Sequence, residues 1–205
     1  SKWIQAAQEQ LRDKNISLGR NQILTVVNRN PHVQEIALIL AYADSPNWTI
    51  LGVTHVSTGS AGRKTHYITP TGVFPNDTSR LGYRALGTLN ENGIRGIGRK
   101  GMRVWDFGWQ RAKKGWKGNG DYGDIRLEMH ATDPDRLEQR IGRPDSEGCV
   151  RIPTKFNTFM DNNGIIDCEY EQEAKTDNRF AALLPKNRTP SPIAGEYLGV
   201  TDLSP

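Results

Sequence analysis

Hydrophobic and polar positions along the chain change period several times, and each change marks an element. Residues 3 to 13 place Trp3, Ala7 and Leu11 on one helical face with Lys, Gln, Glu and Arg elsewhere, which predicts a short N-terminal helix. From Gln22 the period shortens. Ile23 to Val27, Val33 to Tyr42 and Trp48 to Ser57 are rich in β-branched, aromatic and leucine residues. They are separated by Asn30-Pro31 and by Asp44-Ser45-Pro46-Asn47, so they predict three consecutive antiparallel strands. In Thr69-Pro70-Thr71-Gly72-Val73-Phe74 the proline and glycine force a turn before a short apolar segment. Leu81 to Gly120 is glycine-rich and weakly periodic, a loop with an embedded strand at Val104 to Trp109.

Ile125, Leu127 and Met129 alternate with Arg126, Glu128 and His130, which predicts a half-buried strand with His130 at its end. Asp133-Pro134 supplies an N-cap and a first-turn proline for a short helix ending near Gly142. Thr154 is placed to cap a helix with Phe156, Phe159 and Met160 on one face, ended by Asn163-Gly164. Ile165 to Tyr170 reads as a further strand, with Cys168 buried on the face of Ile166 and Tyr170. The stretch from Lys175 carries Pro185, Pro190, Pro192 and Pro205 and reads as an extended appendage. The expected division is therefore a helical lead-in at 1–20, a main domain at 21–172 and a proline-containing extension at 173–205.

With 205 residues, 21 Gly and 11 Pro, the chain is long enough to bury a core and suits a β-rich fold with many corners. The longest apolar run, Ile36 to Ala43, falls short of the roughly 20 residues that a membrane-crossing helix needs. A net charge of +4 hints at an anionic partner. Nucleic acid is not expected, because the densest basic patch (Arg111, Lys113, Lys114 and Lys117) is broken by glycine and reads as a solvated loop. The chain opens on Ser1 rather than Met, as a processed or trimmed chain would, so an export signal is not to be read from it.

Candidate chemistry concentrates in Asp145-Ser146-Glu147-Gly148-Cys149-Val150-Arg151. A cysteine after glycine in a polar turn is where a nucleophile is exposed and where backbone N–H groups converge on an oxyanion; a small buried hydrophobe is the bland alternative. An ordinary thiol is mostly protonated at neutral pH and needs an imidazole or another positive field, which a strand-end His130 could supply. His32, His55 and His66 lack a partner pattern and read as structural or surface residues.

Together, Thr69 to Phe74, a strand ending in His130, fifteen intervening residues and Ser146-Glu-Gly-Cys-Val-Arg151 resemble the L,D-transpeptidase (YkuD-type) catalytic domain of bacterial cell-wall enzymes, over Gln22 to Tyr170. The family pattern is a His-Gly pair ending a strand, a similar spacer, then Ser or Thr, His, Gly, Cys, an aliphatic residue and commonly Arg or Asn. The resemblance implies a mainly β fold, a curved antiparallel sandwich or barrel with a few short helices. It also implies a periplasmic or cell-wall location, no cofactor and no metal. Implied roles are Cys149 as nucleophile, His130 as general base, Gly148 and Cys149 N–H groups as oxyanion donors, and Ser146 and Glu147 as supporting residues. Arg151 would bind a substrate carboxylate or brace the loop, and Trp105, Trp109 and Trp116 would line a groove for the stem peptide.

Two positions depart from the family pattern. Ala131 replaces the glycine after the first histidine, and Glu147 replaces the second histidine. A carboxylate beside Cys149 opposes thiolate formation unless a base such as Arg151 neutralises it. The implied reaction is acyl transfer from a tetrapeptide stem of peptidoglycan through a Cys149 thioester. An amine of a second stem or an anchored protein resolves it in a transpeptidase, and water resolves it in an L,D-carboxypeptidase. A third alternative is a peptidoglycan-binding protein that kept the fold and lost turnover through Glu147. Gly96-Ile-Gly98-Arg-Lys-Gly101 spells a dinucleotide motif but is followed by a strand pattern rather than a helix, and so is set aside.

Overall fold

The computed structural model describes residues 1–118 and 120–205. Two β sheets face each other across one core. The first has the order β3 (Thr49–His55), β2 (Glu35–Ala41), β1 (Gln22–Asn28), β9 (Tyr197–Thr201), β4 (Gly72–Pro75). The second runs β5 (Tyr83–Arg84), β6 (Arg103–Lys113), β7 (Tyr122–His130), β8 (Val150–Arg151). Neighbours are antiparallel except β1–β9 and β7–β8, whose later strands return through long connections. The fold is thus mainly β and sandwich-like, with four short helices among the described residues: α1 (Lys2–Asp13), α2 (Thr154–Asn162), α3 (Cys168–Glu173) and α4 (Asn178–Leu183).

Alternation assigns each strand's faces. Ile23 and Val27 of β1, Ile36 and Leu38 of β2, and Leu198 and Val200 of β9 point into the inter-sheet core, where they meet Trp105, Phe107, Leu127, Met129, Val150 and Ile152 of the second sheet and its exit. Leu24, Val26, Ala37, Ile39 and Ala41 point the other way, onto Ala7 and Leu11 of α1. Both faces of β1 are therefore covered, which is why all seven of its residues are buried and why it reads as a continuous apolar run.

Four expectations need correction. The segment 165–170 is not a strand. Gly164 leaves α2 at φ +55, Ile165 and Ile166 drop into the core, and α3 begins at Cys168. A two-residue apolar plug imitates the start of a strand in one dimension. Cys168 is consequently half-buried rather than buried, and its sulfur accepts a hydrogen bond from Arg20 Nη2 at 2.9 Å. Cys168 and Cys149 are both free thiols. Nor is the stretch from Lys175 an appendage, because β9 is inserted between β1 and β4 and carries core residues. Asp133 does cap, its Oδ1 accepting from the N–H groups of Asp135 and Arg136 at 2.9 and 3.0 Å, but the residues it caps form only a turn and a single 3-10 turn at Glu138–Arg140.

Candidate active site

β7 turns Leu127 and Met129 into the core, so Arg126, Glu128 and His130 lie on the outer face of the second sheet. β8 runs parallel beside it, pairing Met129 with Val150 and His130 with Arg151. One step back in that register, Cys149 comes beside Glu128. Cys149, Glu128, His130 and Arg151 thus share one face. The Cys149 thiol lies against the β7 backbone, donating to the Arg126 carbonyl at 3.7 Å and accepting from the Glu128 main-chain N–H.

The loop that presents Cys149 is pinned on every side. Asp145 and Ser146 N–H groups donate to the Thr58 carbonyl at 3.0 Å each, Tyr67 N–H donates to Glu147 O at 3.0 Å, and Thr69 Oγ1 donates to Gly148 O at 2.7 Å. Ser146 is buried. Its Oγ donates to Cys149 O at 2.6 Å and accepts from Gly148 N–H at 3.1 Å, closing the turn on itself. The Ser146 carbonyl also accepts from Nδ1 of His66 at 2.9 Å, so His66 is a buried brace for this loop. Gly148 sits at φ +138, where a side chain is strained, and a Cβ there would stand 2.7 Å from Ile125 Cδ1. Gly148→Ala should therefore cost about 1–3 kcal/mol in chemical denaturation and change the rate at which Cys149 is alkylated, because the turn must shift to accept the methyl group. Wild-type stability in that variant would show that the loop is not strained.

His130 is buried, and its Nδ1 hydrogen-bonds the Ala131 carbonyl. A carbonyl only accepts, so Nδ1 carries the proton and Nε2 keeps its lone pair, the tautomer a general base requires. Burial, and secondarily the charge of Arg151, pushes the His130 pKa down to about 4, against the partial support of the Ala131 bond. Ala131 is absent from the positive-φ residues among those described (Asn15, Gln34 and Thr65 beside glycines), so the family's glycine is replaced there without strain. The thiol is displaced the other way. Burial, with the carboxylates of Glu128 and Glu147, raises Cys149 to about 11 despite the Glu128 N–H and Arg151. At rest the thiol and the imidazole are therefore both neutral.

Several expected roles change. Arg151 does not neutralise Glu147, which is exposed; its Nη1 pairs with Asp145 at 2.8 Å, and Arg140 at 2.6 Å and Arg63 at 3.5 Å hold the same carboxylate. Arg151 thus braces the loop through Asp145. Trp105 cannot line a groove. It is fully buried, with Nε1 donating to Asp167 Oδ1 at 3.2 Å. Trp109 is the outer-face tryptophan, 67% exposed, because a bulge at Gly108 (φ +81) breaks the alternation after Phe107. Trp116 packs edge-on against Tyr67 at 5.1 Å. The Gly148 N–H is committed to Ser146 Oγ, whereas the Cys149 N–H has no acceptor among the described residues.

Two site residues escape the sequence reading. Glu128 is the polar member of the alternation between Arg126 and His130, so its face is legible although its place beside the thiol is not. Tyr83, half-exposed on β5, reaches across β6 to donate to Glu128 Oε1 at 3.1 Å, and nothing in the glycine-rich stretch around it signals this.

No family model and no curated protein matches the chain. Two solved structures show a distant likeness. One is a fused Zn-dependent amidase/peptidase/peptidoglycan-binding domain-containing protein from Clostridium acetobutylicum, 13% identical, with a TM-score of 0.33 over 96% of this chain and 61% of that one. The other is the helical cell shape determining protein Pgp2 (K307A mutant) from Campylobacter jejuni, 15% identical, with a TM-score of 0.39 over 99% of this chain and 54% of that one. This chain thus spans under two thirds of either, and likeness at these scores carries no functional weight.

Proposed function

We propose that the protein is a cysteine-dependent L,D-transpeptidase that acts on peptidoglycan stem tetrapeptides on the periplasmic or cell-wall side. The observation that supports this best is the pairing of β7 with β8, which puts Cys149 and a His130 with its Nε2 lone pair kept open on one face of adjacent strands. As Cys149 Sγ attacks the carbonyl between the third residue and D-alanine, the thiol proton passes to His130 Nε2. The oxyanion takes the Cys149 N–H, and collapse returns the proton to the departing D-alanine amine, leaving a thioester. An acceptor amine then resolves the thioester. No helix among the described residues is long and apolar enough to cross a membrane.

Intact-protein mass spectrometry after incubation with disaccharide-tetrapeptide, with and without an amine acceptor, tests this. An acyl adduct that decays to a cross-linked product supports the transferase. Decay to free acid in both cases makes the protein an L,D-carboxypeptidase. The high thiol pKa favours one further alternative, a peptidoglycan-binding protein without turnover, which predicts no adduct at all.

The same pKa makes a prediction about the resting enzyme. A thiol of ordinary pKa is about 3% thiolate at pH 7, and one near 11 is about 300-fold less ionised. Alkylation of Cys149 by iodoacetamide should therefore be slow at neutral pH and rise about ten-fold per pH unit to beyond pH 9, with no plateau near 8.5. A plateau below pH 8 would show that the thiol and imidazole form an ion pair at rest.

A further inference from the structure

Peptide chemistry through a thioester has a second half, in which an amine must reach the acyl carbon and shed a proton. The charges around Cys149 are not symmetrical with respect to that approach. On one side stand buried, neutral His130 and, beyond it, the Arg151 guanidinium held by Asp145. On the other stands Glu128, facing Tyr83 from β5, Asp106 from β6, Arg126 on its own strand and Cys149 from the loop. The Arg126 charge on that side is already spent, because Nε lies 2.9 and 3.1 Å from the two Asp106 oxygens and Nη2 lies 2.8 Å from Oδ2. Tyr83 satisfies one carboxylate oxygen, Oε1. An incoming ammonium group is repelled on the Arg151 side and attracted on the Glu128 side. The outer face is open there, with Tyr83 40% and Trp109 67% exposed.

Resting on the thioester reading, we propose that Glu128 is the carboxylate that binds the acceptor amine beside Cys149 and takes its proton as the thioester is resolved. The acceptor arrives as an ammonium ion and gives one proton to the Glu128 carboxylate, which frees the nitrogen lone pair to bond to the acyl carbon. The second proton passes from the nitrogen to His130 Nε2 as the carbon–sulfur bond breaks with its electron pair on Cys149; His130 returns that proton to the sulfur and Glu128 releases its own to solvent, so ammonium and thioester become amide, thiol and one proton. Burial raises the Glu128 pKa above the usual carboxylate range, with Asp106 adding to the rise while the Tyr83 hydroxyl and Arg126 oppose it. That increases the proton affinity of the base.

Glu128→Gln keeps the shape and removes the charge. The same carboxylate also holds the thiol pKa up, so this variant should form the acyl-enzyme at least as fast as the wild type, while amine-dependent decay of the adduct falls by about ten-fold or more. Time-resolved intact mass separates the two steps. Decay in the wild type should lose rate as pH falls through the Glu128 pKa, and Glu128→Gln should abolish that inflection. Tyr83→Phe, which removes the hydroxyl that stabilises the carboxylate, should move the inflection to higher pH. Unchanged decay in Glu128→Gln, or acylation and decay slowed in parallel, would overturn the assignment while leaving the transpeptidase reading in place. A wild-type chain that never gains the acyl mass overturns both.

Discussion

Cys149→Ala is expected to abolish covalent capture of the tetrapeptide while leaving the fold intact. In intact-mass spectra after incubation with disaccharide-tetrapeptide, the wild type should gain the acyl mass and the variant none. Cys168, the other thiol, is in no position to substitute: it lies at the start of α3 against Arg20. The stability cost should stay within about 1 kcal/mol, since Cys149 is half-buried and its thiol donates one long bond to the Arg126 carbonyl. The backbone bonds that pin the loop run through Ser146, Glu147 and Gly148 and do not involve the sulfur. An unchanged adduct on Cys149→Ala would refute the nucleophile assignment. Loss of the adduct together with a fall of several kcal/mol in stability would instead show that the thiol is a core residue.

That separation of chemistry from fold explains which parts of the molecule are legible in the sequence. β7 is readable because one of its faces is apolar and the other polar, and the same alternation delivers Glu128 and His130 to the outer face. The turn at 145–149 is readable from glycine and short polar residues, since Gly148 at φ +138 requires them. The features that escape depend on partners distant in sequence. Trp105 and Trp109 are separated by a bulge, so a strict period of two puts them on one face when they lie on opposite ones. Arg151 looks free to neutralise Glu147 because Asp145 gives no sign of gathering three arginines from three segments. Tyr197 to Thr201 is five residues long with a glycine at its middle, too short to announce a central strand until β1 and β4 flank it.

The largest stability effect should come from the buried ion cluster behind the site. Arg103 has no exposed surface, and its Nη1 and Nη2 donate to the two oxygens of the equally buried Asp167 at 2.9 and 2.8 Å. Nη1 also reaches Asp161 at 3.1 Å, which Arg84 holds from outside at 2.7 Å. Asp167 Oδ1 further accepts from Trp105 Nε1 and from Asn76 Nδ2 at 3.0 Å, so one carboxylate ties β6 to the loops after β4 and α2. Replacing Arg103 by Met fills similar volume but leaves Asp167 charged in the core with only neutral donors. Breaking a buried pair from one side costs about 3–5 kcal/mol, a large share of the roughly 5–15 kcal/mol that holds a domain together. Urea unfolding of Arg103→Met should show a loss of that size. The double variant Arg103→Met with Asp167→Asn should recover part of it, because the uncompensated charge is then gone and the amide can still accept from Trp105. A loss below about 1 kcal/mol in the single variant would mean that water reaches Asp167 and that the cluster does not anchor β6. β6 is the antiparallel neighbour that holds β7 in the second sheet, so a measured loss should also slow acylation of Cys149 at temperatures near the variant's unfolding midpoint while leaving it near wild type well below that midpoint.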